Sequence, residues 1–279
     1  MSSIFRTTFF LLLLWNFSNC SSVLAQSKYN KLVWSDEFTN TGLPDSKKWN
    51  YDKGRGCPDN CGWGNNELQF YTHDRLENAR VENGKLIIEA HKENFEDAKY
   101  TSARLASKNK GDWKYGRIDV KAKLPAGTGM WPAIWMLPTK WEYGGWPHSG
   151  EIDIMEWVGK APLEALGTLH GPGYFGDNGC GGKLVFDQSL AGEWHEFSIN
   201  WKPGHISWFV DDKEYFSATP ESVAPNKWVY DHPFYILLNL AVGGNLGGPL
   251  DPELPDSNKL LVEYIRLYEF EGFGELFEK

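Results

Sequence analysis

Three acidic residues lie within a six-residue segment of β-prone sequence, and they are well placed for acid–base chemistry. Residues 150–157 set Glu151, Asp153 and Glu156 among Ile, Met and Trp side chains. In a β-strand Glu151 and Asp153 share a face, whereas Glu156 has the opposite parity and points away. One extra residue in a β-bulge would return Glu156 to the face of the other two acids. We therefore expect a bulged strand that gathers three carboxyl groups.

Carboxyl groups gathered in this way suit glycoside hydrolysis. A retaining glycosidase uses two carboxyls about 5–5.5 Å apart, one as the nucleophile and the other as the acid and then the base. The Cα atoms of Glu151 and Glu156 would lie roughly 13 Å apart, a gap that two inward-leaning Glu side chains largely close. Asp153 between them would raise a neighbouring pKa and keep one carboxyl protonated near neutral pH. The pattern alone also fits a solvent-facing acidic strand or a calcium site.

The segments on either side of these acids alternate polar and apolar residues, as half-buried strands do. Residues 117–124 alternate without a break, and residues 196–201 have one apolar face. Residues 234–241 are apolar except for Asn239, which predicts a strand buried on both faces. Many short strands separated by turn sequences predict an all-β fold of two packed antiparallel sheets, in one domain over residues 27–272, with only a helical turn or two.

The composition favours a folded protein that binds a neutral ligand. Hydrophobic residues make up 41% of the 279-residue chain, too many for an intrinsically disordered protein. The formal net charge of −9 argues against a nucleic-acid-binding protein and against an anionic membrane surface as partner. The 14 Trp residues could stack on sugar rings, although a bulky β-core accounts for each of them equally well.

Residues 1–25 have the layout of a secretory signal peptide. The charged residue Arg6 precedes an apolar stretch at 9–15, and small and polar residues lead to a cleavage site after Ala25. The apolar stretch is too short to span a bilayer. We expect a secreted or periplasmic protein without a membrane span. A lipoprotein anchored at Cys20 is less favoured, because the residues before Cys20 match the usual small-residue box poorly.

Removal of this segment leaves three cysteines, Cys57, Cys61 and Cys180. An oxidising compartment permits disulfides, and the short spacing in a Gly/Pro/Asn-rich loop favours a Cys57–Cys61 disulfide that pins the loop. A metal knuckle is the alternative, but no second Cys/His pair of suitable spacing accompanies it. Cys180 is then left as a partly buried thiol.

The acidic segment is one of a series of motifs that run in order along most of the mature chain. The others are Trp-Ser-Asp-Glu-Phe at 34–38, Gly-Trp-Gly-Asn-Asn-Glu-Leu-Gln at 62–69, Tyr-Gly-Arg at 115–117, Gly-Met-Trp-Pro-Ala-Ile-Trp-Met at 129–136, Thr-Leu-His-Gly-Pro-Gly-Tyr at 168–174 and Leu-Asn-Leu-Ala-Val-Gly-Gly at 238–244. Together these motifs resemble glycoside hydrolase family 16, and specifically its laminarinase-like members.

This resemblance implies a fold and a role for each acid. The fold would be a jelly-roll β-sandwich with a sugar-binding cleft along its concave sheet. Glu151 would be the nucleophile, Glu156 the acid/base and Asp153 the supporting carboxylate. Family members that carry an extra residue, here Met155, resemble laminarinases, agarases and carrageenases, whereas those without it resemble mixed-linkage lichenases.

The implied activity is endo-hydrolysis of β-1,3-glucan with retention of configuration, and catalysis would need no cofactor. We also expect a monomer. The main alternative is the same fold and mechanism acting on mixed-linkage β-glucan or an algal galactan. A non-catalytic glucan-binding protein is less favoured, because such relatives lose the catalytic carboxylates, and Glu151 and Glu156 are both present here.

Four side chains are predicted to contact the sugar. Trp131 and Trp135 are four residues apart in a strand-like segment and therefore share a face. By resemblance they line subsites near the cleaved bond, and a core role is the alternative for each. Asn66 resembles the family's polar contact on the loop before a strand. His170 resembles the family's His near the acid/base residue.

A further loop and an arginine could also line the cleft. Trp141, Tyr143 and Trp146 lie in a Gly/Pro-punctuated loop before the acids and could form one wall. Arg104 could contact a sugar hydroxyl or be an ordinary surface residue. We interpret His195 as a structural histidine.

The resemblance also implies a structural calcium ion on the convex face, with no part in the chemistry. The ion would be held largely by backbone oxygens near the first strand and by an acid in the last strand. The corresponding residues are Glu37, Gly84 and Glu263, where Glu263 replaces the Asp of other family members.

Overall fold

The computed structural model describes residues 31–277, which form mostly β-structure. The predicted signal peptide at 1–25, its cleavage site at Ala25 and the alternative anchor Cys20 lie outside the described residues. Over residues 31–277, no helix combines the length and the apolar character needed to cross a membrane.

The described chain contains 19 strands and a few single helical turns. The helical turns are α1 (Pro220–Val223), α2 (Gly244–Gly247) and 3-10 turns at Cys61–Gly64 and Gly176–Asn178. The strands are β1 (Leu32–Asp36), β2 (Asn50–Asp52), β3 (Gln69–Tyr71), β4 (Ala79–Glu82), β5 (Lys85–Phe95), β6 (Ala98–Ser102), β7 (Arg104–Ala106), β8 (Asp112–Lys114), β9 (Gly116–Lys123), β10 (Met130–Pro138), β11 (Glu151–Glu156), β12 (Glu164–His170), β13 (Cys180–Val185), β14 (Trp194–Lys202), β15 (His205–Val210), β16 (Lys213–Ala218), β17 (Phe234–Val242), β18 (Ser257–Tyr268) and β19 (Glu275–Phe277).

These strands build two sheets, which confirms the predicted all-β sandwich. The ten-stranded sheet has the order β16-β15-β14-β9-β18-β5-β6-β3, with β1 beside β18 and β4 beside β5. The nine-stranded sheet has the order β13-β12-β11-β10-β17-β7-β2, with β8 beside β17 and β19 beside β8. The pairings are antiparallel except for the parallel pair β3–β6. The final strand β19 lies beyond residue 272, where the sequence places the end of the domain.

A single large hydrophobic cluster fills the space between the two sheets. It takes Val120 and Phe197 from the ten-stranded sheet and Ile134, Ile154 and Leu238 from the nine-stranded sheet. Strand β17 is buried along its whole length, as its apolar sequence predicts. Because successive residues of a strand point to opposite faces, the neighbours of these core residues lie on the side of the nine-stranded sheet that faces away from the core. We call that side the outer face.

Strand β11 contains the expected bulge. Against β10, the adjacent residues Ile134 and Trp135 pair with Met155 and Asp153, so β11 carries one extra residue. The register against β12 shifts at the same place. Ile154 and Met155 are both buried in the core. The extra residue therefore turns consecutive apolar side chains inward and leaves the acids on the outer face.

A tryptophan from the opposite sheet completes the bulge. The buried Trp208 of β15 donates a 2.8 Å hydrogen bond from Nε1 to the backbone carbonyl of Asp153. Gly167 of β12 leaves room for this indole, because a Cβ there would stand 2.4 Å from Trp208 Cδ1. A buried carbonyl without a partner costs about 1–3 kcal/mol. Trp208 therefore stabilises the backbone conformation on which the acids depend.

Trp208→Phe should lower the free energy of unfolding and also slow the hydrolysis that the sequence predicts. We expect a loss of about 1–3 kcal/mol or more in urea unfolding, since the carbonyl of Asp153 loses its donor. We expect kcat to fall about ten- to a hundred-fold, since misplaced acids react poorly.

The matched control is Trp49→Phe. Trp49 is likewise buried, and its indole donates to Asp36 of β1 in the ten-stranded sheet, away from β11. This variant should lose stability while the folded protein keeps its kcat. Equal losses of kcat in both variants would contradict a specific role for Trp208.

Candidate active site

The outer face of β11 presents Glu151, Asp153 and Glu156 together. Gly150 starts this strand with φ +86°, and a Cβ there would stand 2.9 Å from Tyr230 Cε1. Glycine is therefore needed on both conformational and steric grounds. The site thus begins at a fixed turn and ends at the bulge.

His170 joins the acids from the end of β12. It is the cross-strand partner of Glu151, and its Nε2 lies 3.1 Å from Asp153 Oδ2. Glu151, Asp153 and His170 each offer one ligand atom, and these three atoms lie within 4.8 Å of one another. Such a donor set could hold a divalent cation, but the same proximity is what proton sharing between carboxyl groups requires.

An indole N–H donates to each outer acid of the cluster. Trp131 Nε1 donates to Glu156 Oε1 at 3.1 Å, and Trp146 Nε1 donates to Glu151 Oε2 at 2.7 Å. Trp131 is only 8% exposed and packs against Ala241 on the outer face. Trp146 is 48% exposed, so its indole is open to a ligand while it contacts the carboxylate.

Burial raises the pKa of every acid in the cluster. Burial and, second, the charge of Asp153 raise the pKa of Glu151 to about 8, against the lowering effects of His170 and Trp146. Burial raises the pKa of Glu156 to about 7; His170 lowers it and the charge of Glu151 raises it further. Burial and the charge of Glu156 raise the pKa of Asp153 well above its ordinary value.

A proton on Asp153 resolves this repulsion. Neutral Asp153 no longer raises the pKa of Glu151 by its charge. With Asp153 charged, the pKa of Glu151, about 8, lies above that of Glu156, about 7, so ionisation of Glu151 ahead of Glu156 requires the proton on Asp153. The geometry therefore provides one nucleophilic carboxylate and one carboxylic acid on a single face.

Comparison with known proteins identifies the family of this chain. The family model described as "Glycosyl hydrolases family 16" matches residues 66–259. This chain belongs to glycosyl hydrolase family 16. It is accordingly a glycoside hydrolase.

Named relatives of the family 16 chain cover nearly all of the described residues. The beta-glucanase of Rhodothermus marinus is 46% identical over 251 residues, which cover 86% of this chain and 85% of that protein. The glucan endo-1,3-beta-glucosidase of Cryptopygus antarcticus is 42% identical over 257 residues, 84% of this chain and 90% of that protein. The X-ray structure of the laminarinase from Rhodothermus marinus superimposes with a TM-score of 0.79 at 45% identity, over 86% of this chain and 97% of that chain.

The structure brings most of the predicted sugar-contacting residues to the outer face of this family 16 domain. Trp135 pairs with Asp153 across the strands and donates from Nε1 to Asn239 at 2.7 Å. Asn66 is exposed and donates to Asn245 at 2.9 Å, beside the helical turn that packs on Trp131. Asn66 thus lies at the Trp131 end of the site. Its sugar contact stays a prediction.

The loop before β11 forms an exposed aromatic wall. Trp141, Tyr143 and Trp146 are all more than one-third exposed. Of the three, Trp146 is the residue that donates to an acid of β11, and it also packs edge-on against Phe175 at 5.6 Å. Tyr143 is held instead by its 2.7 Å hydrogen bond to Asp231.

The hydrogen bonds of Glu67 and the burial of Arg104 were not predicted from the sequence. Glu67 is buried beside the site and accepts hydrogen bonds from Gln69 at 2.6 Å and from Tyr71 at 3.1 Å. Asn239 donates to the hydroxyl of Tyr71 at 3.1 Å, which links Glu67 to the floor of the site. Arg104 is 9% exposed rather than an ordinary surface residue. The motif at 62–69 contained Glu67, but nothing local indicates that Tyr71, which donates to Glu67, also bonds to a strand some 170 residues away.

The cysteines and His195 lie away from the acids. Cys57 and Cys61 form a disulfide with an S–S distance of 2.09 Å, and Cys180 is the free, half-buried cysteine of residues 31–277. His195 lies on the ten-stranded sheet, where its Nδ1 is 2.7 Å from Asp211 Oδ2.

The side chains assigned to calcium are engaged by cations. Glu37 accepts two hydrogen bonds from Arg266, at 2.8 and 2.7 Å, and Glu263 pairs with Lys121. Gly84 lies in the turn between β4 and β5. The two carboxylates as placed do not fit a shared calcium ion, because each is already neutralised on a different partner. Binding by backbone oxygens alone stays a prediction.

Glu156→Gln should stabilise the protein in alkaline solution and leave its stability in acid unchanged. A folded-state pKa raised from 4.5 to about 7 stabilises the fold below about pH 4.5, and this contribution is lost as the pH rises through 7. Gln cannot ionise, so the variant should exceed wild type by on the order of 1–3 kcal/mol at pH 8.5 and by little at pH 4.

Urea unfolding at the two pH values measures this difference. Glu214→Gln, at an exposed position of β16, removes a carboxylate outside the cluster and serves as the control. Its effect should be the same at both pH values. A pH-independent effect of Glu156→Gln as well would show that Glu156 is not destabilised by its surroundings.

Proposed function

We propose that this protein is a secreted endo-1,3-β-glucanase that cleaves laminarin-type glucan with retention of configuration. The observation that carries the proposal is the bulged strand that sets the half-buried Glu151 and Glu156 on the outer face with the buried Asp153 between them. The activities of two relatives, a beta-glucanase and a glucan endo-1,3-beta-glucosidase, support the substrate class. The signal-peptide pattern at 1–25 supports secretion.

In the proposed first step, ionised Glu151 attacks the anomeric carbon and Glu156 protonates the departing glycosidic oxygen. The indole N–H of Trp131 donates to Oε1 of Glu156, so the acidic proton resides on Oε2. The hydrogen bond that Glu151 accepts from Trp146 orients the nucleophile and favours its ionised form.

In the second step, Glu156 has lost its proton and acts as the base that activates water. The water attacks the glycosyl–Glu151 ester from the face that the leaving group occupied, which restores both carboxyl groups. Two inversions give net retention. Asp153 keeps its proton throughout and limits the repulsion between the outer acids as their charges change.

A neutral glucan suits the floor of the site. Trp131 and Trp135 are spaced along β10, and their indoles supply apolar surface beside the acids. The −9 net charge of the chain does not favour an anionic polysaccharide such as carrageenan. We place the protein as a monomer acting on β-1,3-linked chains, with mixed-linkage glucan as the secondary substrate.

Digestion of laminarin, lichenan, agarose and carrageenan side by side tests the substrate. We expect the fastest release of reducing ends from laminarin and slower release from lichenan. Proton NMR early in the laminarin digest should show the β-anomer of the new reducing end. Cleavage of agarose without cleavage of laminarin would reject the substrate, and an initial α-anomer would reject retention.

Substitution of the outer acids separates their roles. Glu151→Gln should abolish turnover, because no other group can form the ester. Glu156→Gln should lower kcat on laminarin about 10²–10⁴-fold, and much less for the first step on an aryl glycoside, whose leaving group needs no proton. Azide should restore turnover of the aryl glycoside by Glu156→Gln and give a β-glycosyl azide. An α-azide, or azide rescue of Glu151→Gln to the same β-product, would contradict the assigned roles.

A further inference from the structure

The backbone of Trp63 adopts an unusual conformation. Trp63 lies in the 3-10 turn at Cys61–Gly64 with φ 54° and ψ 29°, in the left-handed region that bulky residues rarely occupy. Holding such a residue there costs on the order of 1–3 kcal/mol, and strain of this kind concentrates at functional sites. The surrounding structure must therefore compensate for it.

The loop around Trp63 supplies that compensation. The backbone N–H and the indole Nε1 of Trp63 donate to the carbonyls of Arg55 and Gly54, each at 3.3 Å. The disulfide between Cys57 and Cys61 closes the same loop. Both cysteines are exposed, so the disulfide contributes nothing to the core. The disulfide instead restrains the loop and the indole of Trp63 that the loop carries.

The indole of Trp63 covers one side of Arg104. The guanidinium carbon of Arg104 lies 4.6 Å from the ring centre of Trp63 and 4.6 Å from that of Trp135. Arg104 is also paired with Asp52 through a 2.8 Å Nε–Oδ2 contact. The guanidinium is thus clamped between two aromatic rings, an arrangement that limits its motion strongly.

Arg104 lies on the outer face, away from the reacting acids. Its neighbour Leu105 belongs to the core, whereas Ala106 belongs to the outer-face cluster with Trp135. Strand β7 is separated from β11 by β17 and β10, a distance of about 14 Å at the usual strand spacing. A group there meets the glucan beyond the sugar that reacts.

We infer that Trp63 is a positioning residue for glucan binding: held by the disulfide loop, it fixes Arg104 against Trp135, so that the two form one rigid surface that extends from beside the acids towards β7. This inference rests on the proposed glucanase function and adds a determinant of chain binding to it. Trp63 acts through Arg104, so its removal weakens engagement of long chains and not the chemical step.

Steady-state kinetics on laminarin and on the shortest aryl β-glucan oligosaccharide that the enzyme cleaves test the inference. Trp63→Ala should raise KM for laminarin about three- to thirty-fold, the range of a lost cation–π contact, with kcat within about twofold. KM and kcat for the short substrate should change little. Trp63→Phe keeps an aromatic face, so its KM for laminarin should stay close to the wild-type value. Cys57→Ser with Cys61→Ser should raise KM in the same direction.

A double-substitution experiment asks whether Trp63 works through Arg104. Trp63→Ala added to Arg104→Gln should raise KM no further than Arg104→Gln alone. Phe95→Ala is the matched control, because Phe95 stacks on Arg75 at 5.2 Å on the ten-stranded sheet. It should lower the unfolding temperature and leave KM and kcat unchanged.

The outcomes separate this inference from the proposed function. A wild-type protein that does not cleave laminarin refutes the proposed function. A wild type that does cleave it, with an unchanged KM in Trp63→Ala, refutes the positioning role. Additive effects of Trp63→Ala and Arg104→Gln, or equal changes in kcat on long and short substrates, refute it as well.

Discussion

The extra residue in β11 is the constraint on which the rest of the site depends. Without the bulge that accommodates this residue, Glu156 would face the core and Met155 the outer face, because strand residues alternate between faces. With it, Ile154 and Met155 both enter the core and all three acids face outward. An indole from the other sheet stabilises the insertion by donating to the carbonyl of Asp153. The acidic face of one sheet is thus supported by a residue of the other.

Burial of the acids is costly to the fold and useful to the chemistry for the same physical reason. Removal from water disfavours the ionised form of each carboxyl, so the cluster retains protons at a pH where exposed Glu and Asp are ionised. His170 and two indole N–H groups offset part of this cost without supplying a permanent cation. A Lys or Arg in their place would ionise all the acids and leave no proton for the leaving oxygen.

Much of this arrangement could be predicted from local sequence. The period-two alternation identified the strands, and the parity of Glu156 required a bulge, because both depend on residues a few positions apart. The clamp on Arg104 and the hydrogen bonds of Glu67 could not be predicted in this way. They join β7 and the loop at 61–64 to β10 and β17, and these contacts exist only after the sheets assemble. The donor to Glu151 likewise needed the loop geometry, which places Trp146 rather than Trp141 or Tyr143 over the acid.

The apolar side chains of the outer face are physically separate from the core. One cluster comprises Ala106, Leu137, Tyr235 and Leu237, the other Trp131, Val158 and Ala241, and the backbone of the nine-stranded sheet divides both from the side chains between the sheets. A substitution in either cluster changes the packing beneath the outer surface of this sheet and leaves the side chains between the sheets in place. The outer surface can therefore diverge in shape while the core that holds the sandwich together is kept, which gives the fold a high capacity for functional divergence.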